Sequence, residues 1–389
     1  MPRLLTASFV NAWLASFFGG LAFFLFVHFP GFLDDLGASE LQIGLIVGAT
    51  AASAIAVRPR IGVEMDRRGR RPVVLLGAVL NVGVLALYPT ISAIGVWVYV
   101  VRVIHGVAEA LLFASLFTYA ADLVPAERRT QGLALFGVSG MLPIALGGVI
   151  GDVILDRSDF DTLFWTAVAF AVIALGFSIP LRESRVPEPG DRPSFFRPLR
   201  QPDLLRVWWI TAVFSTALTA YFTFLRTFVD ETGIGTVGAF FAAYAAAAIA
   251  LRVTAGWLPD RVGQKRVLYP AFAIFASGFV VLAGAGSDVS IVVAGALCGT
   301  GHAYIFPILY SLAFSRADAH ERGSASAIYT GLFDVGALVG APVLGQLIAS
   351  FGYTVMFTIA AIWVVAGSVG FAIWDGDLTR RRAASAPLS

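Results

Sequence analysis

The sequence predicts an all-α polytopic membrane protein, with twelve transmembrane helices in two pseudo-symmetric six-helix bundles. Three observations predict it. Twelve apolar segments are each long enough to cross a bilayer, the Lys and Arg residues fall on alternate connections, and two stretches of the first half recur in the second. The composition behind them is 58% hydrophobic and 13% charged, where a soluble globular chain carries about 45–50% and about 25%. Such a surface does not face water.

A bilayer core of about 30 Å needs roughly 20 apolar residues of helix. Segments near 8–30, 41–60, 73–90, 94–121, 130–151 and 162–181 supply six spans, and 206–229, 236–258, 266–284, 289–314, 324–349 and 354–374 supply six more. The first contains "FVNAWLASFFGGLAFFLFVHFP" (9–30), too long for a signal-peptide core of about 7–15 residues, so it is taken as a span. Only "PTISAIG" divides the third from the fourth. The stretch 182–205, rich in Pro and Arg, reads as a cytoplasmic linker between bundles at 1–181 and 206–376, and 377–389 reads as a disordered cytoplasmic tail. The 40 glycines suit close helix approach in lipid. A single cysteine, Cys298, excludes an intramolecular disulfide.

Charge placement fixes the orientation. Of 27 Lys and Arg, 22 lie at the termini or on even-numbered connections, and Arg157 alone lies on an odd-numbered one. The other four, Arg58, Arg102, Arg226 and Arg252, fall within spans. Lys and Arg collect on cytoplasmic loops, which places both termini in the cytoplasm of a cell (inner) membrane protein.

The repeat is explicit. "RPRIGVEMDRRGRRPV" (58–73) matches "RVTAGWLPDRVGQKRV" (252–267) at Arg58/Arg252, Gly62/Gly256, Asp66/Asp260 and Gly69/Gly263, each 194 residues apart. "LFGVSGMLP" (135–143) matches "LFDVGALVG" (332–340) at 197. Parallel repeats of this kind are a known transporter design.

Ionisable residues inside spans are costly and mark cavities, proton relays or pairs. Arg102, His105, Gly106 and Glu109 share one face of the fourth helix. Asp334 lies about 15 Å into the eleventh, by rise per residue. With His302 and Tyr304 in the tenth helix and Arg226 near the outer end of the seventh, these are the candidate substrate- and proton-binding residues. A static Arg102–Glu109 pair and direct substrate contact without protons are the competing readings, and either histidine reads equally as a packing residue. Trp13, Tyr221, Phe222, Phe224 and Tyr304 are candidate pocket aromatics. No phosphate loop and no zinc-protease motif occurs in the sequence. No enzyme activity, cofactor, metal or nucleic-acid partner is therefore expected, and transport driven directly by ATP is disfavoured.

The loop "GVEMDRRGRR" (62–71) has every fixed position of the G-x-x-x-D-R-x-G-R-R signature of the major facilitator superfamily. "RVIHGVAEA" (102–110) resembles its fourth-helix R-x-x-x-G pattern, "ADLVPAERRTQG" (121–132) the exit from that helix, and "ERGSASA" (321–327) the matching loop of the second half. "GVSGMLPIALGGVIG" (137–151) partly resembles the fifth-helix motif of proton-coupled exporters through Gly140, Pro143, Gly147 and Gly148, expected to serve helix packing. The resemblance implies that Gly62, Asp66, Arg67, Gly69, Arg70 and Arg71 form a conformational latch against the eleventh helix in the outward-open state. It also implies that Arg70 pairs with Asp122, and that Gly256, Asp260 and Arg261 are the second copy. Arg67, Arg68 and Arg71 are also placed to meet anionic lipid heads, worth about 1 kcal/mol each.

The reading is a secondary active transporter that moves a small organic or amphipathic solute by alternating access, through proton-coupled efflux. One polypeptide holds both halves, so a monomer suffices. The rivals are an uptake carrier or uniporter for a sugar or organic anion, and a non-transporting membrane sensor.

Overall fold

The computed structural model describes residues 6–124, 129–184, 196–318 and 322–385. The side chains of Gly62, Asp66, Arg67 and Asp260, singled out above for the hinge and its echo, lie outside the described residues.

Helix α1 covers Ala7–Asp35, with a tighter step at Leu25–His28 just before Pro30. Then follow α2 (Glu40–Arg68), α3 (Arg70–Leu85), α4 (Val96–Leu123), α5 (Arg129–Leu155) and α6 (Phe160–Ser178). The second half has α7 (Pro202–Thr232), α8 (Val237–Ala255), a short helical piece at Leu258–Val262, α9 (Gln264–Ala283) and α10 (Asp288–Arg316). The last helical run covers Arg322–Ser385 and is broken at Gly352, whose φ is +79°.

That break reverses the chain. Gly336 packs on Ser215 and Gly367 on Val213, at one level of α7. A straight helix would part residues 336 and 367 by about 46 Å at its usual rise. Residues 322–351 are thus α11 and 353–385 are α12, and the described residues hold twelve spans. The third and fourth spans are separate, joined by a turn at Tyr88–Thr90.

Two expectations are corrected. Helix α7 begins at Pro202, inside the stretch read as linker, because Pro sits without penalty in a first helical turn. Residues 377–385, read as disordered, continue α12.

The polar contacts sort the helix ends into two faces. Arg70, Asp122, Leu181 and Arg71 meet on the face that holds the linker, called here the terminal face. Glu40, Thr227 and Tyr353 meet on the opposite, far face. Three helices starting at the far face, α2, α6 and α8, are capped by side chains: Ser39 on Gln42, Asp159 on Thr162 and Thr236 on Ala239. Those starting at the terminal face after the repeated loop use glycine instead. Gly69 and Gly263 hold φ of +89° and +104° at matched positions, which a side chain rarely allows.

The halves meet through α2 with α11 and α5 with α8. Glycine makes these seams tight. A Cβ on Gly44 would strike the backbone of Ala341, one on Gly345 that of Glu40, and Gly148 lies against Gly238. All of these lie toward the far face. The same seams run deeper to Arg58 with Asp334, and to Met141 with Arg252.

Candidate functional site

The α4 face built from Arg102, His105 and Glu109 is completed by Tyr88 from the turn before it. The Tyr88 hydroxyl is 2.7 Å from His105 Nδ1 and accepts from Arg102 Nη1 at 3.1 Å. Arginine can only donate, so the hydroxyl is the acceptor of that bond and links the guanidinium to the His105 ring. Nε2 stands 3.0 Å from Glu109 Oε1. That oxygen is buried and has no hydrogen-bond partner among the described residues, so the two groups lie close without a formed hydrogen bond. The Arg102 guanidinium also lies 4.9 Å from the Phe29 ring centre. The Arg102–Glu109 pair weighed from sequence is not formed: Arg102 serves Tyr88, and Glu109 faces His105.

Across the boundary between the halves, Arg58 Nε is 2.5 Å from Asp334 Oδ2, with 23% and 22% of the two side chains exposed. Glu109 lies within electrostatic reach of Asp334. The three charges form one group, with one member on each of α2, α4 and α11. Arg58 was legible in sequence only as a cation inside a span and as the repeat partner of Arg252. Neither signal named its acid.

In the second half, the Tyr244 hydroxyl bonds His302 Nδ1. The ring is walled by Phe214 at 5.3 Å and stacked on Phe306 at 5.6 Å. His105 and His302 are 197 residues apart, so the repeat places a tyrosine-bonded histidine in both α4 and α10. Tyr304 instead donates to the Ala255 carbonyl at 2.9 Å and closes the end of α8.

Arg226 does not join these groups. It pairs with Asp230 at 2.7 Å and reaches His28 at 3.5 Å, while His28 contacts the Gly148 carbonyl at 3.1 Å. Asp152 accepts from the Gly238 amide at 2.5 Å. Together they tie α1 and α5 to α7 and α8 at the far face. Of the α5 motif, Pro143 packs on Gly20, Gly147 on the Phe24 backbone and Gly148 on Gly238, whereas Gly140 meets open space.

The charged hinge is a joint. Glu183 accepts from the amides of Arg70 and Arg71 at 2.8 and 3.1 Å, capping α3. The Arg71 guanidinium caps the end of α6 at the Leu181 and Ile179 carbonyls. Arg70 Nε stands 3.1 Å from Asp122 Oδ2. In the second copy, Lys265 pairs with Asp375 at 2.6 Å, Arg261 covers the Trp257 ring at 4.7 Å, and Gly256 ends α8. Glu183 was missed because nothing in its local sequence distinguishes it from any linker acid.

Comparison with known proteins agrees with this architecture. The family model described as Major Facilitator Superfamily matches residues 12–258 and 227–388. The chain is 23% identical over 350 residues to the staphylopine export protein of Staphylococcus aureus, covering 85% of this chain and 86% of that one. It is 26% identical over 238 residues to the multidrug resistance protein MdtL of Escherichia coli, covering 60% and 58%. Among solved structures, the nucleoside transporter NupG superposes with a TM-score of 0.78 at 12% identity, covering 94% and 98%. The human organic anion transporter MFSD10 superposes with 0.74 at 18%, covering 95% and 100%. With twelve spans, two repeated bundles and a polar group set between them, the chain belongs to the major facilitator superfamily and is a membrane transporter.

Proposed function

We propose that the protein is a proton-coupled antiporter that exports a small organic or amphipathic solute across the cell membrane. The observation that carries this reading is the Arg58–Asp334 pair, which joins the two halves. The charge count puts the terminal face in the cytoplasm. The far face, closed by the glycine seams, is then external, and the described conformation faces inward.

The cycle follows from what the pair does in each state. Facing inward, Arg58 is paired with Asp334. When the far face opens, α2 and α11 separate and Asp334 loses its counter-charge. A carboxylate without a partner in apolar surroundings takes up a proton, and here the source is the outside. Closure returns Arg58, which displaces the proton toward the cytoplasm. Solute binding supplies the free energy that parts the pair on the outward journey. The curated relatives named for export and drug resistance support the direction.

The test is flux. Protein in liposomes with its terminal face inward, under an acidic exterior, is expected to drive solute outward. Transport that ignores an imposed pH gradient, or runs only inward, would refute the reading.

A further inference from the structure

The repeat gives each seam a twin: α2 with α11 is matched by α8 with α5. Arg58 corresponds to Arg252 at the offset of 194, and Asp334 to Gly137 at the offset of 197. The twin of the Arg58–Asp334 pair is therefore an arginine facing a glycine. Arg252 Nε donates to the Ala303 carbonyl at 3.3 Å, and Nη1 lies 2.8 Å from Met141 Sδ. Among the described residues, it meets no carboxylate. Met141 stands one turn from Gly137 on the same face of α5. A Cβ at Gly137 would meet nothing within 4 Å. Among the described residues the seam has room for an acid and lacks one.

A guanidinium inside the membrane is kept where it is paired or lines a wet cavity. Among the described residues, a thioether and one carbonyl, which Pro307 leaves without its helical donor, give the charge no counter-ion and leave most of its five donors unused. Beside it lie His302 and its aromatic wall, Phe214, Phe306 and Phe333.

We infer that Arg252 is the docking point for an anionic group, of carboxylate type, on the transported solute, which itself fills the place that Asp334 fills in the twin seam. The cargo is then an amphipathic organic anion whose apolar part lies on the aromatic wall. This rests on the transport reading for the site and adds the cargo's charge to it.

The test is equilibrium binding by thermal shift on purified protein, since a ligand stabilises the native state by mass action. The probes are 2-naphthoate, indole-3-acetate and hippurate, each with its neutral amide. At least one acid is expected to raise the melting temperature of the unaltered protein where its amide does not. Arg252→Gln should weaken that acid tenfold or more, and Arg252→Lys by less, since it keeps the charge but not the fork. Gly137→Asp supplies the missing acid from within. It should raise the ligand-free melting temperature and abolish acid binding, and it guards against misfolding of the Arg252 variants. The inference is overturned if none of the acids stabilises the unaltered protein, or if Gly137→Asp binds them unchanged. Binding is read without a gradient. Failure of proton-driven export would leave this result standing, and failure here would leave export to be judged by flux.

Discussion

Arg58 of α2 and Asp334 of α11 stand 2.5 Å apart across the boundary between the halves, 276 residues distant in sequence. Removing one partner of a fully buried pair costs about 3–5 kcal/mol. With about a fifth of each side chain exposed, screening lowers that to about 1–3 kcal/mol. Asp334→Asn should lose stability of that order in detergent. The exchange Arg58→Asp with Asp334→Arg should recover most of it, as read by thermal unfolding. No recovery in the exchanged protein would mean that the pair contributes little.

Tyr88 is fully buried and holds both Arg102 and His105. Tyr88→Phe keeps the ring and removes the hydroxyl, leaving two buried polar groups without their shared partner. The expected cost is about 1–3 kcal/mol. A fall in transport rate should accompany it, since Arg102 and His105 lose the group that links them. A melting temperature and rate matching the parent protein would remove the hydroxyl from the account.

Gly44 sits where any Cβ would strike the Ala341 backbone, whereas Gly83 faces open space within α3. Gly44→Val should wedge α2 from α11 and expose the far face, read as faster labelling of a cysteine placed at Ile348, which is buried in the closed form. Gly83→Ala should leave labelling unchanged. Equal rates in the two variants would show that the seam is not held by close glycine contact.

Glu183 caps α3 through two amides. Glu183→Ala should cost about 0.5–2 kcal/mol, the range for a lost helix cap, and loosen the joint between α3 and α6. Hydrogen exchange at the Arg70 and Arg71 amides should rise. Protection equal to that of the parent protein would contradict the capping role.

Much of this was legible in sequence because lipid imposes a simple grammar. Span length, alternating charge and the 194-residue echo each follow from a bilayer or from duplication, and Gly69 and Gly263 carry the echo into backbone geometry. The site was legible only as a list. Glu109, Asp334 and His105 stood out as polar groups within oil. Their partners Arg58 and Tyr88 come from another helix and from the turn before α4, and such registration leaves no mark in a linear pattern. Arg226, already placed near the outer end, does not join the central groups: it pairs with Asp230 one turn on and reaches His28 of α1, which sequence could not name. The tail misled because polar composition was read as disorder, although α12 carries it forward as helix.

The central claim is that the far face opens when the Arg58–Asp334 pair parts, so that protonation of Asp334 favours the open form. Cysteines introduced at Asp34 and Ser350, in a Cys298→Ser background, place one spin label on each half at that face. The account predicts a distance that lengthens as pH falls in the parent protein and stays long at every pH with Asp334→Asn. A pH-independent distance in the parent protein, or the same pH response in both, would contradict it.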